Sequence, residues 1–224
     1  MLMLQVNRLK KVVGIGLCAI GFKVASFCKI SFIVGSQMAF FSGVNVLHPL
    51  AGRFCGASGS CLLFGMLSAI RILCGVHPSI HLVYGIPGFC AALYMSSPHI
   101  LIRLILPIVC MIAFIVHPVG FYAAPYSFYW LIPIGLYFVK KKSFFTEALG
   151  STFIAHAVGS VFWLYLIPMP VAYWWGLLPI VALERLVFAS GAVIVYNTYN
   201  VCFGYAEHVI SVFWTKKVKK YPFV

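Results

Sequence analysis

The chain has 224 residues, of which 63% are hydrophobic and only 8% charged, with no Asp and three Glu. A water-soluble fold carries about a quarter charged residues to solvate its surface, so the composition, with a mean hydropathy of +1.04, describes an integral membrane protein. The missing Asp excludes aspartyl intramembrane proteolysis, paired-Asp phosphoryl chemistry and an acid-rich cage for hard cations. The net charge of +13 is no nucleic-acid footprint. Its basic residues punctuate apolar runs and cluster at Arg8, Lys10 and Lys11, at Lys140 to Lys142, and at Lys216, Lys217, Lys219 and Lys220, as loops held on the cytoplasmic side do.

In chain order, residues 1–29 form a basic N-terminal segment with a short apolar run, Val12 to Phe22. It resembles a signal peptide, but Lys23 and Lys29 stand where a small-residue cleavage site belongs, so retention is expected. A transmembrane helical bundle is expected over 30–206 and a basic cytoplasmic tail over 207–224. A helix needs roughly 20 residues to cross about 30 Å of hydrocarbon. Breaking the long uncharged stretches at Pro and Gly predicts apolar segments near 30–47, 54–75, 80–96, 100–117, 119–139, 147–167 and 172–196.

Seven segments conflict with the basic clusters, because two clusters on one side must be separated by an even number of crossings. Segment 80–96 is the shortest and carries Pro87-Gly88 at its middle, so it is expected to be broken or re-entrant. The fold class is therefore an all-α polytopic bundle of about six crossings plus one broken segment. Both termini are expected to be cytoplasmic, in the inner membrane. Tyr122, Tyr126, Tyr129 and Trp130, and then Tyr173, Trp174 and Trp175, are expected to be interfacial belts.

Small residues recur every four positions at Gly35, Ala39 and Gly43 and again at Ser151, Ala155 and Gly159. Such strips let membrane helices approach closely, within the chain or against another subunit. Glu184 and Arg185 fall near the middle of the last segment, where a charge is costly unless paired or hydrated. Successive helical residues point about 100° apart, so the two need not pair, and Glu184 has Arg71, Arg103 or a His as alternatives. His156 shares its segment with Trp163 and Tyr165, and an imidazole at that depth needs a partner. Asn45, Gln37, His48 and His81 are further cavity candidates, while His77, His99 and His117 sit beside Pro or at segment ends. The eight Cys lack metal-ligand spacing and read as packing residues. Neither a metal nor a cofactor is expected.

In size, apolar helical build, basic ends and small-residue strips, the chain resembles the substrate-binding S component of energy-coupling-factor vitamin transporters. The resemblance implies six spans, membrane lipid around them, and a small-molecule substrate in an enclosed pocket lined by Asn45, Trp130, His156, Trp163 and Glu184, with Arg185 beside it. It also implies a coupling transmembrane subunit with ATPases, docked on the Gly35, Ala39, Gly43 strip. A second resemblance rests on Gly56-Ala57-Ser58-Gly59 and Ala155-His156-Ala157-Val158-Gly159, which are similar to the nucleophile and base motifs of rhomboid proteases. That likeness implies a Ser58–His156 dyad, which needs hydrogen-bond reach between the two. No Walker A or dinucleotide motif is present. Uptake of a small, largely uncharged solute, without enzymatic activity, is the leading expectation, with a structural or partner-binding membrane protein as the alternative.

Overall fold

The computed structural model of the chain describes residues 15–16, 18–32, 40–75 and 78–220, with side chains described for these except 30–32, 40–41, 78–84 and 203–220. Among the described residues the fold is helical apart from one hairpin near its start. Three stretches among the described residues are helical, long and apolar enough to cross a membrane, Val44–Leu73, Phe144–Leu166 and Val171–Cys202. Lengths and compositions of this kind mark a membrane protein.

A short helix, α1 (residues 18–25), leads into strands β1 (Lys29–Phe32) and β2 (Phe40–Ser42), paired antiparallel with Phe32 opposite Phe40. The expected first span, 30–47, is therefore not one helix: its residues 30–32 and 40–42 are extended, and only 44–47 are helical, as the start of the next helix. Its residues 33–39 lie outside the described residues. Ile and Phe suit a pleated strand as well as an apolar helix, and hydropathy does not separate the two. Gly35 and Ala39 fall outside the described residues, and the extended Phe40–Ser42 separates them from Gly43. That strip therefore lies mostly outside the described residues. Gly43 instead precedes the next helix, where an added Cβ would come within 3.2 Å of the Ala25 carbonyl.

Helix α2 (Val44–Leu73) begins earlier than expected and is interrupted at Gly56, whose φ of 69° and ψ of −176° are open to a residue without a side chain. The Gly-Ala-Ser-Gly motif sits at this break. Helix α3 (Pro78–Ser96) then runs through Pro87 without interruption, which corrects the expected break at Pro87-Gly88. A single Pro is tolerated within a membrane helix when its neighbours satisfy the freed carbonyl. Gly88 is needed for space, since a Cβ there would overlap the buried His48 ring.

A π turn at Leu101–Ile105 feeds α4 (Leu106–Val116), and His117 caps the following piece by accepting from the Val119 N–H at 3.2 Å. The broken segment lies here. Where one helix was expected over 119–139, α5 (Pro118–Tyr122), a 3-10 stretch (Ala124–Trp130) and α6 (Leu131–Phe138) follow one another. Each piece carries a Pro in its opening residues, Pro118, Pro125 and Pro133. Proline suits a helix start but removes a donor from its interior, so three at this spacing prevent a continuous helix.

Helix α7 (Phe144–Leu166) starts at Ser143, whose hydroxyl accepts from the Thr146 N–H at 3.2 Å. Helix α8 (Val171–Lys220) is 50 residues long, so the helical backbone continues into the expected tail. Of the three long apolar stretches, α7 is the inner one, with 61% of its window buried against 22% and 33%.

The ends of the elements sort into two groups. At one end, Arg103 on the π turn donates to the Tyr94 and Ser97 carbonyls at the close of α3 and to Glu147 at the start of α7. Phe144 stacks on Tyr196 of α8 there, with ring centroids 4.1 Å apart. At the other end, Tyr165 donates to the Ala113 carbonyl at 2.8 Å and Trp175 to the Tyr122 carbonyl at 3.3 Å. The broken segment therefore starts with the close of α7, and α6 finishes beside the π turn.

Candidate functional site

Helix α7 is built from small residues, so elements approach it on more than one side. On one face Ser151 donates to the Ala91 carbonyl of α3 at 2.8 Å, and Gly159 faces Pro87 at 3.6 Å from an added Cβ. Ala155 is buried between them in the sequence of that strip. The expected strip of Ser151, Ala155 and Gly159 thus packs within this chain. Phe153, His156 and Ser160 meet the 3-10 stretch instead.

Against that second face the 3-10 stretch buries Tyr126 and Trp130, α4 contributes Phe114, and α8 contributes Trp174. The Tyr126 ring lies 5.2 Å from His156 and 4.9 Å from Trp174. Phe114 stacks on Tyr126 at 5.5 Å and meets Trp130 and Trp174 edge-on at 5.4 and 5.1 Å. Trp130 and Phe153 each approach His156 at 6.5 Å. Offset and edge-to-face pairs at these separations bring a ring's positive edge to a neighbour's negative face. The Tyr126 hydroxyl and Ser160 hydroxyl are hydrogen-bonded at 3.3 Å. Trp130 Nε1, Trp174 Nε1 and His156 Nε2 are buried and, among the described residues, make no hydrogen bond.

Arg185 is buried close by, donating to the Thr152 carbonyl of α7 at 3.5 Å and to the Glu184 carboxylate at 3.2 Å. Neighbours on a helix do pair here, because the long guanidinium side chain folds back to its own helix, and the pair removes net charge from the interior. Arg103 is bonded to Glu147, and Arg71 is exposed at the end of α2. Glu184 therefore pairs with Arg185, its sequence neighbour, and not with Arg71 or Arg103, two of the alternatives that the sequence left open.

Of the expected pocket residues, Trp130, His156 and Arg185 converge on the second face of α7, and Glu184 joins them through Arg185. Trp163 lies farther along α7 in the same buried apolar cluster, its indole donating to the Met169 sulfur at 2.9 Å. Asn45 does not join them. It sits at the start of α2, donating to the Ser42 carbonyl at 3.1 Å. His48 is buried between Phe22 and Phe64, whereas Gln37 and the side chain of His81 lie outside the described residues. Ser58 is exposed on α2 and makes no hydrogen bond to His156, whose ring neighbours are Tyr126, Trp130 and Phe153. The dyad geometry is absent.

Sequence reasoning missed Tyr126, Trp174 and Phe114 as site residues. Tyr126, Trp130 and Trp174 were expected in interfacial belts; the exposed Tyr122, Tyr173 and Trp175 fit that description, but Tyr126 is 3%, Trp130 0% and Trp174 1% exposed. A cavity of about 500 Å³ lies at the α4–α5 and α7–α8 turns, lined by His117, Leu164, Tyr165 and Met169 among others. Leu164 and Met169 belong to the same cluster as Trp130 and Trp174, so the cavity abuts the aromatic interior. Among the described residues, no group of three or more His, Cys, Asp or Glu could hold a metal. Comparison with known protein families matched none of them, and comparisons with curated proteins and with solved structures likewise gave no match.

Proposed function

We propose that the protein is a multi-pass membrane protein that binds a small, largely uncharged solute inside its bundle and serves its uptake. The observation that carries this reading is the aromatic interior itself. Buried rings from α4, the 3-10 stretch, α7 and α8 form one cluster, in which Tyr126, Trp130 and Phe153 lie against the His156 imidazole. The neutralised Arg185–Glu184 pair is tied to α7 at the Thr152 carbonyl, one turn from His156. Ionisable groups at membrane depth mark substrate or ion sites more often than packing. Pockets for small molecules combine apolar walls with a few converging polar groups. The cavity beside Met169 abuts this cluster through Leu164 and Met169.

The hairpin suggests a topology. With β1 and β2 outside the count, the crossings are α2, α3, the π turn with α4, the broken segment 118–138, α7 and α8. Four crossings then precede Lys140 to Lys142 and two follow, which returns every basic cluster to one side. This is the cytoplasmic side of an inner membrane, with the His117 and Pro168–Pro170 turns opposite. Energy comes from a gradient or, as in an S component, from a coupling subunit with ATPases.

A structural membrane protein is the second reading, favoured by the closeness of the packing, in which Trp130 is 0% exposed. The test is purification of the tagged protein in mild detergent, with mass spectrometry of co-purifying proteins and retained small molecules. A stoichiometric small molecule is the expected result, with or without a coupling subunit. Folded protein that retains neither a solute nor a coupling partner would sink the transport reading in favour of the structural one.

A further inference from the structure

The unpartnered nitrogens of Trp130, Trp174 and His156 belong to one contiguous set of rings, joined through Phe114 and Tyr126. A buried polar group without a partner costs about 1–3 kcal/mol, and native interiors seldom leave several together. Simple packing would be served as well by Phe or Leu at these places. An indole N–H only donates, whereas an imidazole nitrogen donates or accepts. The neighbouring polar groups have other engagements. Tyr126 is bonded to Ser160, and Arg185 to Glu184 and the Thr152 carbonyl. The guanidinium is thus already balanced by a carboxylate, which leaves no net charge to attract an ion. Flat aromatic walls favour a flat occupant.

We propose, resting on the solute-binding reading above, that Trp130 Nε1, Trp174 Nε1 and His156 Nε2 are the recognition groups of the site. They take a planar, uncharged solute bearing acceptor atoms, a carbonyl or a ring nitrogen. A site built to hydrogen-bond its substrate discriminates strongly against an analogue without that group, because its own buried donors are then left unpaired.

The test is a titration of the full-length protein in mild detergent, followed by tryptophan emission, with four probes of similar ring size: benzamide, nicotinamide, toluene and benzoate. The amides are expected to give a saturable change, with toluene and benzoate at least about tenfold weaker, the equivalent of about 1.4 kcal/mol. Trp130→Phe and Trp174→Phe should each weaken amide binding by about tenfold. Should either fail to fold, His156→Gln reads the third group independently. Equal binding of toluene, unchanged affinity in the folded variants, or no saturable response to the amides would each overturn the inference. If it falls while an uncharged solute lacking acceptors is retained in the purified protein, the solute-binding reading stands. Folded protein with no retained solute and no response to any probe removes both.

Discussion

Replacing Arg103 by Ala should loosen one whole end of the bundle. The guanidinium donates from Nε to the Ser97 carbonyl at 3.1 Å, and from Nη2 to the Tyr94 carbonyl at 3.0 Å and the Glu147 carboxylate at 3.2 Å. It also lies 4.6 Å from the centroid of the Tyr94 ring. The two carbonyl bonds are charge-assisted, each worth about 1.5–3 kcal/mol. Glu147 is 24% exposed, so the ion pair adds only about 0.5–1 kcal/mol. Their sum, about 3.5–7 kcal/mol, overlaps the roughly 3–5 kcal/mol seen when one partner of a buried pair is removed. Glu147→Gln keeps an acceptor for Arg103 and should cost about 1 kcal/mol. Burial first, and then the Arg103 charge, lower the Lys142 pKa while Glu147 opposes them, so the Glu147 variant should lower it further. The assay is unfolding in detergent, monitored by a thermal or denaturant transition, for wild type, Arg103→Ala, Arg103→Lys and Glu147→Gln. The lysine variant should fall between, since it keeps charge and loses the fork. A Glu147→Gln loss as large as that of Arg103→Ala would refute the reasoning, because the carboxylate rather than the α3 carbonyls would then hold this end.

Gly88→Ala should destabilise by about 1–3 kcal/mol through overlap with the His48 ring, and His48→Ala in the same chain should recover part of the loss. Additive costs in a thermal unfolding cycle would show that the two positions do not meet. Glu184→Gln removes the carboxylate bonded to Arg185 and should cost about 3–5 kcal/mol, visible as a lower unfolding midpoint before any solute is added. An unchanged midpoint would place the pair's role in binding alone. Ser58→Ala should leave stability within about 0.5 kcal/mol and solute retention unaltered, since Ser58 is exposed and unbonded to His156. A variant that loses retention while still folded would contradict that placement. For the topology, single cysteines at Lys141 and Pro168 in a cysteine-free chain should label from opposite sides of sealed vesicles. Labelling of both from one side would break the six-crossing count.

The later spans were the most legible part of the sequence. The expected 147–167 and 172–196 correspond closely to the apolar parts of α7 and α8, because Ser143 and the Pro168-Met169-Pro170 turn punctuate them locally. Placing the broken segment was harder. Pro87-Gly88 looked like a break, yet one Pro within a membrane helix is absorbed by its neighbours, whereas Pro118, Pro125 and Pro133 together are not. The hairpin escaped notice because Ile30 to Phe41 has the hydropathy of a span and carries strand-forming residues.

At the site, His156, Glu184 and Arg185 were legible as ionisable groups in apolar surroundings, and Trp130 through its resemblance-based role. Tyr126 and Trp174 were not, since an aromatic near a span end reads the same whether it faces lipid headgroups or the interior. Only the neighbouring Phe114 and His156 decide which way it turns. Asn45 illustrates the reverse, a polar residue in an apolar run that serves a local turn through Ser42.

The most direct test of solute binding in the aromatic interior is native mass spectrometry of the intact protein released from mild detergent, for wild type and for a folded His156→Ala variant. A single non-lipid adduct at one per chain in the wild type, and its loss in the variant, is the result the account predicts. Folded wild-type protein carrying only lipid, or an adduct that persists undiminished without the imidazole, would contradict it.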